Sequence, residues 1–309
     1  MTHSLRAAAD RIAGAPISWG VCEVPGWGFQ LPPDRVLEQM REVGLVATEF
    51  GPDGFLPEQP AAKAQTLAAH RLAAVGQFVP VVLHRRDHDP EPEVRQAIDG
   101  LLAAGASTVV LAAATGTEGY DQRPELDLDS WNLLLSNLNR LVAVIRAAGL
   151  TPAVHPHVGT MVESGDEVQR VLDGSDIGIC LDTGHLLIGG GDPVALATEH
   201  PDRIAHVHLK DVNAALAGQV RSGAVAYAAA VADGLYVPLG AGDVDVAAIV
   251  RALEQNGYQG WYVLEQDAVL SGDPATDPNA ADPLDDVRTS IAFIRSTVAA
   301  LPGNTEGAQ

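Results

Sequence analysis

The chain has 309 residues and a formal net charge of −21, from 40 acidic against 19 basic side chains. That length allows two domains of ~150 residues or one α/β barrel of ~250, and the acidity argues against nucleic acid or anionic membrane as partner, because gripping phosphates calls for a basic face. Two cysteines, Cys22 and Cys180, make no disulfide framework; with no apolar signal segment in residues 1–13 and no apolar run of ~18 residues, the expected setting is the cytoplasm.

Strand and helix signals alternate throughout. Residues 15–19 form a short apolar run closed by Gly20, a first strand. Pro32-Pro33-Asp34 opens a helix that stops at Gly44. Residues 47–50 are a second strand ending in Glu49. Helical periodicity covers 61–75, followed by a β-branched run at 78–83 that ends at His84. Residues 91–104 read as helix and 108–112 as the fourth strand. A long helix spans 128–148, with Leu133, Leu134, Leu138, Leu141 and Ile145 on one face. Strand five is 151–155, a helix follows at 165–172, and strand six is the run Ile177-Gly178-Ile179-Cys180-Leu181-Asp182. A helix at 193–200 leads to strand seven at 204–209.

The connection from 213 to 242 is too long for an ordinary βα loop, and its Ala-rich middle predicts helix. Asp245 caps a helix over 246–256, and strand eight is 261–264. Residues 268–281 read as loop, and Asp282-Pro283 opens the last helix, to about residue 300. Eight βα units without a linker between halves predict a single (β/α)8 TIM barrel over residues 15–300, with a long insertion after strand seven. Residues 1–14 are then an N-terminal extension and 301–309 a tail. A doubly wound sheet is the competitor, but no Gly-x-Gly-x-x-Gly follows the first strand.

In parallel α/β proteins ligands bind at the carboxyl ends of the strands. Side chains alternate along a strand, so His206, His208 and Lys210 share one face while Val207 and Leu209 take the other. His155 and His157 likewise share a face, and Glu265 lies opposite Leu264. The barrel mouth thus gathers His155, His157, Asp182, His185, His208, Lys210 and Glu265, with Glu49 and His84 nearer the first half. Each alone reads as a structural residue or, for Asp182, a helix cap; together on four parallel strands they read as a site. Imidazole and carboxylate without thiolate suit Zn²⁺, Mn²⁺, Co²⁺ or Fe²⁺. His206 sits one layer deeper, as a buried support. His70 and His200 fall on helices at the surface. Trp19, Trp27 and Phe29 read as core or as an apolar wall of the mouth, and Lys210 as a substrate contact or one half of a surface ion pair with Asp211.

The segments Leu181-Asp182-Thr183-Gly184-His185, His206-Val207-His208-Leu209-Lys210-Asp211 and Leu264-Glu265-Gln266-Asp267 resemble the xylose-isomerase-like sugar isomerase/epimerase superfamily, which also contains endonuclease IV. Ile17-Ser18-Trp19-Gly20, residues 48–57, His155-Pro156-His157 and the segment ending Val237-Pro238-Leu239-Gly240 are similar, more closely, to the inosose dehydratase (2-keto-myo-inositol dehydratase) group. The resemblance covers residues 15–300. It implies a divalent-metal site, Mn²⁺ or Co²⁺ first with Zn²⁺, Mg²⁺ or Fe²⁺ also compatible. Asp182, His208 and Glu265 match its ligand positions. His155 stands where many members have Glu, and Glu163 is a second candidate for that place.

The chemistry this implies is dehydration of a cyclic polyol ketone through an enediolate, with Glu49 as base and Lys210, His157 and His185 as acids or hydroxyl-binding groups. The rival is a sugar or hydroxypyruvate isomerase or epimerase using the same enediolate. The partner expected is a small polyol or sugar, with no nucleic acid and no membrane; a homo-oligomer is left open.

Overall fold

In the computed structural model, residues 7–301 are described. The expected tail beyond Leu301, and residues 1–6 of the expected extension, lie outside the described residues. In chain order the elements are β1 (Ile12–Gly14), α1 (Pro33–Glu42), β2 (Ala47–Thr48), α2 (Pro60–Ala69), β3 (Ala73–Ala74), β4 (Gly76–Val81), α3 (Glu91–Ala104) and β5 (Thr108–Ala113). Then come α4 (Leu128–Ala147), β6 (Thr151–Val154), α5 (Gly165–Gly174), β7 (Gly178–Asp182), α6 (Thr183–Ile188), α7 (Pro193–Glu199) and β8 (Ile204–Leu209). The last third holds β9 (Asp211–Val212), α8 (Ala214–Arg221), α9 (Tyr227–Ala232), β10 (Tyr236–Val237), α10 (Val246–Gln255), β11 (Tyr262–Leu264) and α11 (Pro283–Ala299).

The parallel sheet runs β3-β2-β1-β11-β8-β7-β6-β5-β4. Its two ends, β3 and β4, are halves of one crossing joined at Val75. The Val75 amide donates to Thr48 O, and the Val75 carbonyl accepts from Ser107 N, so this residue is bonded to both neighbours. Counted that way, eight strand positions close the barrel, as the alternation predicted. No helix among the described residues is long and apolar enough to cross a membrane.

Ala13 is in register with Val263, Val263 with His208, and His208 with Asp182. Directly paired residues face the same way, so two small apolar side chains and two ligand candidates share one level of the inner wall. Val207 and Leu209 turn outward into the core between strands and helices, together with Trp19, Leu37, Met40, Leu134 and Ile249. Full burial of such side chains contributes about 1.5–3 kcal/mol each, and it holds the strand ends at fixed heights.

Three local expectations are corrected. The first strand is Ile12–Gly14, so the barrel begins at Ile12 rather than at residue 15, and residues 16–19 form a 3₁₀ turn. Pro16 lacks the amide a central strand needs, and Gly20, at φ 77°, closes the turn. The helix expected over 61–75 ends at Ala69; Arg71 at φ 56° reverses the chain into β3. Immediately after Asp182 stands a helix, α6, which periodicity did not reveal because six residues are too few to show one. Trp19 is wholly buried as core and Trp27 nearly so, whereas Phe29 is an exposed hydrophobic residue.

One buried carboxylate ties the start of the insertion after β8 to its end. Asp211 accepts from the amides of Val212, Gly240, Gly242 and Val244 at 2.8–3.0 Å and is 1% exposed. β9 and β10 pair antiparallel beside it and tie both ends of the segment down. Lys210 and Asp211 are therefore not a surface pair: both are buried and serve different partners. Asp211→Ala leaves buried amides unpaired and should cost about 3 kcal/mol or more in urea unfolding. It should also speed proteolysis within residues 213–242; an unchanged midpoint would refute this anchoring role.

Candidate active site and metal centre

The mouth of the barrel brings together buried side chains from five strand ends. His155 follows β6, Asp182 ends β7, His208 and Lys210 come from β8 and the residue after it, Glu265 follows β11, and Glu49 follows β2. Of the nine residues expected there, eight converge. His84 is half-exposed and stands outside the ligand groups. Glu163 is also elsewhere: its carboxylate accepts from Gly159 N and pairs with Arg123.

Asp182 caps a helix with one oxygen and turns the other into the mouth. Its Oδ1 caps α6, accepting from Gly184 N at 2.9 Å and His185 N at 2.7 Å. Its Oδ2 is buried without a well-formed hydrogen bond and faces His155 Nε2 at 3.4 Å, His208 Nδ1 at 3.7 Å and Lys210 Nζ at 3.4 Å. Position 184 must be glycine because a Cβ there would lie 2.7 Å from Lys210 Cβ. The Asp-Thr-Gly-His sequence thus makes a capped turn that lets β8 approach closely, and Thr183 Oγ1 locks it by accepting from Lys210 N at 2.8 Å.

Ligand atoms of His155, Asp182, His208 and Glu265 all lie within 4.8 Å of one another. His208 Nδ1 is 3.1 Å from His155 Nε2 and 3.3 Å from Glu265 Oε2. Two imidazoles and two carboxylates converging in a buried cradle, with Asp182 Oδ2 making no well-formed hydrogen bond, fit a divalent cation, whose bonds to N and O are about 2.0–2.2 Å. A second group, Glu49, His206 and His208, lies alongside and shares His208.

Glu49 Oε1 is 2.7 Å from His206 Nε2 and 3.0 Å from His208 Nε2. Burial alone would raise its carboxyl, but His208 and His206 hold it well below the usual carboxylate range. This one oxygen is thus engaged by two rings, in a residue that the sequence offered as the base. His206 lies where it was expected, beneath the mouth as a support. His70 and His200 stand half-buried at helix ends.

Lys210 Nζ reaches Asp267 Oδ1 at 2.6 Å, His185 Nε2 at 2.9 Å and Glu265 Oε2 at 3.0 Å. Burial opposes its charge, but Asp182, Asp267 and Glu265 raise it well above an ordinary lysine, so it stays cationic. The rings of His157 and His185 stack at 3.7 Å. Burial, their neighbouring imidazoles and Lys210 push both well below the ordinary imidazole value, and both are neutral. His157 Nδ1 is 2.7 Å from Val158 O; a carbonyl only accepts, so the proton sits on Nδ1 and the lone pair on Nε2.

Sequence reasoning gave no role to Asp267, Tyr227 or Tyr236. Tyr227 OH donates to Asp267 Oδ2 at 2.7 Å and lies 3.0 Å from Tyr236 OH, which stands 3.4 Å from His185 Nδ1. Asp267 carried a usable signal, since it is two residues past Glu265 on the same face. The two tyrosines carried none: they lie in the Ala-rich insertion, and only its folding back over the mouth brings them in. Trp27 and Tyr120 add apolar wall to the same cavity, which His157, Lys210, Glu265 and Asp267 also line.

Comparison with known proteins identifies the family of this barrel. A family model described as xylose isomerase-like TIM barrel matches residues 37–297. The chain is 34% identical to the rhizopine catabolism protein MocC of Rhizobium meliloti over 89% of this chain and 84% of that one. It is 32% identical to the inosose dehydratase of Geobacillus kaustophilus over 82% of this chain and 86% of the relative. Among solved structures, the IolI protein with a bound zinc atom superposes with a TM-score of 0.67 at 15% identity, over 94% of this chain and 98% of that one.

The histidines make stability pH-dependent when a chelator is present. His157, His185 and His206 are each held below the ordinary imidazole value, by burial first, while His208 is raised above it, against burial, by Cys180, Glu265 and Glu49. Below about pH 6.5 the unfolded chain takes up three protons that the native state refuses, and only His208 works the other way. Stability should therefore fall from about pH 6.5 to 5.5, read as a declining urea midpoint, and His157→Gln should remove about a third of the slope. A midpoint that rises on acidification would contradict the neutral state of these rings.

Proposed function

Because the chain belongs to the xylose isomerase-like TIM barrel family and gathers a buried His/Asp/Glu centre at its mouth, we propose that it is a metal-dependent carbon–oxygen lyase. It dehydrates a cyclic polyol ketone of the 2-keto-myo-inositol type. The observation that carries this reading is the convergence of His155, Asp182, His208 and Glu265 beside a neutral His157 and a cationic Lys210, in a chain similar over most of its length to inosose dehydratases. The cytoplasm is the setting we infer from the same relatives.

His155, Asp182, His208 and Glu265 would hold the cation, with Mn²⁺ or Co²⁺ the leading occupants. When bound, the ion supplies Lewis-acid polarisation of a substrate oxygen. His157 Nε2, lone pair outward and ring fixed by Val158, takes the proton α to the ketone. The electron pair left on carbon forms the enediolate, whose negative oxygen Lys210 faces with its fixed positive charge. As the enediolate collapses, the bond from the β-carbon to its hydroxyl breaks, and a proton from the Lys210–Asp267–Tyr227 side accompanies the departing hydroxide as water. His185 acts behind Lys210, accepting from its ammonium group and fixing where it points. This assignment moves the base from Glu49 to His157, since the Glu49 oxygen that meets the imidazoles is already engaged twice.

Purified protein with 2-keto-myo-inositol and Mn²⁺ or Co²⁺ should release an ultraviolet-absorbing product one water lighter than the substrate, and a chelator should abolish this. A product of unchanged mass would place the protein among the isomerases and epimerases; no product with any divalent metal would overturn the substrate assignment. Replacing the base in His157→Gln should lower kcat by about 10²–10⁴. Lys210→Met should cost about 10²–10³ through loss of the fixed charge. Both variants should retain bound metal, measured by atomic absorption after gel filtration.

A further inference from the structure

We propose that Glu49 is a positioning residue: it reaches across the barrel and fixes the His208 ring so that Nδ1 faces the cation. The inference rests on the metal-centre reading above. Glu49 follows β2 and His208 lies on β8, with β1 and β11 between those strands. Glu49, His206 and His208 are each at most 3% exposed, so no solvent competes for their hydrogen bonds.

A carboxylate oxygen only accepts, so both imidazoles facing Glu49 Oε1 donate through Nε2, at 2.7 Å from His206 and 3.0 Å from His208. When a cation displaces the Nδ1 proton of His208, the Nε2 proton stays hydrogen-bonded to Glu49 and the lone pair is left on Nδ1. That is the atom standing 3.3 Å from Glu265 Oε2, 3.7 Å from Asp182 Oδ2 and 3.1 Å from His155 Nε2. The opposite tautomer would set a lone pair against the carboxylate and an N–H into the cradle. Glu49 therefore selects both the tautomer and the ring angle. His206 holds the same oxygen from a second direction and keeps the carboxylate from rotating away.

The barrel wall makes room for this carboxylate. Gly76 begins β4 beside it, and a Cβ there would lie 3.3 Å from Glu49 Oε1 and 3.2 Å from Thr108 O. A larger residue would displace the oxygen that the two imidazoles share. Histidines that bind metal commonly donate their other N–H to a carboxylate in this way, and removing that partner weakens metal binding about 10–100-fold.

The experiment measures Co²⁺ affinity of the whole protein by competition with a chromophoric chelator, together with the visible spectrum of the Co²⁺-loaded protein. Glu49→Gln should bind about 10–100-fold more weakly, with shifted cobalt bands, while circular dichroism stays native. Glu49→Asp, which keeps the charge but withdraws it by one methylene, should fall between native and Glu49→Gln. Asp182→Asn is the control for the centre itself. If Asp182→Asn loses affinity while Glu49→Gln keeps native affinity and spectrum, the positioning role is wrong and the centre stands. If Asp182→Asn binds as tightly as the native protein, the centre is wrong and the inference falls with it. Should Glu49→Gln fail to fold, Glu49→Asp decides: weaker binding with shifted bands supports the role, and native binding overturns it.

Discussion

Several ionisable groups have to share one buried volume at the mouth of this barrel, and that requirement organises the rest. Asp182, Glu265 and Asp267 are all nearly buried, and like charges so close destabilise one another unless cations stand between them. Lys210 supplies one such charge, within 2.6–3.4 Å of all three. The imidazoles supply the rest of the balance, His208 on the side that gains a proton and His157 and His185 on the side that refuses one. The same group of side chains could hold a divalent cation, whose charge would offset the carboxylates further in a low-dielectric site.

The scaffold meets that requirement with residues that serve two purposes. Asp182 terminates β7, caps α6 with one oxygen and offers the other to the centre. Glu49 is held by two imidazoles on one oxygen, so a residue of the first half of the barrel braces the ligand set of the second. Asp211 anchors an insertion that then returns Tyr227 and Tyr236 to the mouth. In each case the backbone amides or imidazoles that bind the carboxylate also position it, so the electrostatic environment and the geometry have one cause.

Much of this was legible beforehand. Alternation along β8 separates His206, His208 and Lys210 from Val207 and Leu209, and the structure buries the first group around Glu49, Asp182 and Glu265 while the second enters the outer core. Strand ends that carry Asp or Glu after an apolar run announced Asp182 and Glu265. Asp245 and Asp282, read as caps, do cap the helices that follow them. What failed was local and short: the first strand, three residues long, and α6, six residues long, carry too few positions for a period to show.

The amino-acid order by itself determined the (β/α)8 architecture, the inward face of each long strand and the identity of the ligand candidates, because these follow from periodicity and from what a buried strand can tolerate at its end. Tertiary structure alone decided which oxygen or nitrogen each side chain offers, that Glu49 braces His208 rather than standing free, that Glu163 belongs to Arg123, and that two tyrosines from a distant insertion reach Asp267 and His185. Those outcomes depend on distances between residues up to 159 positions apart, and no local pattern in a chain encodes the closure of a barrel that sets them.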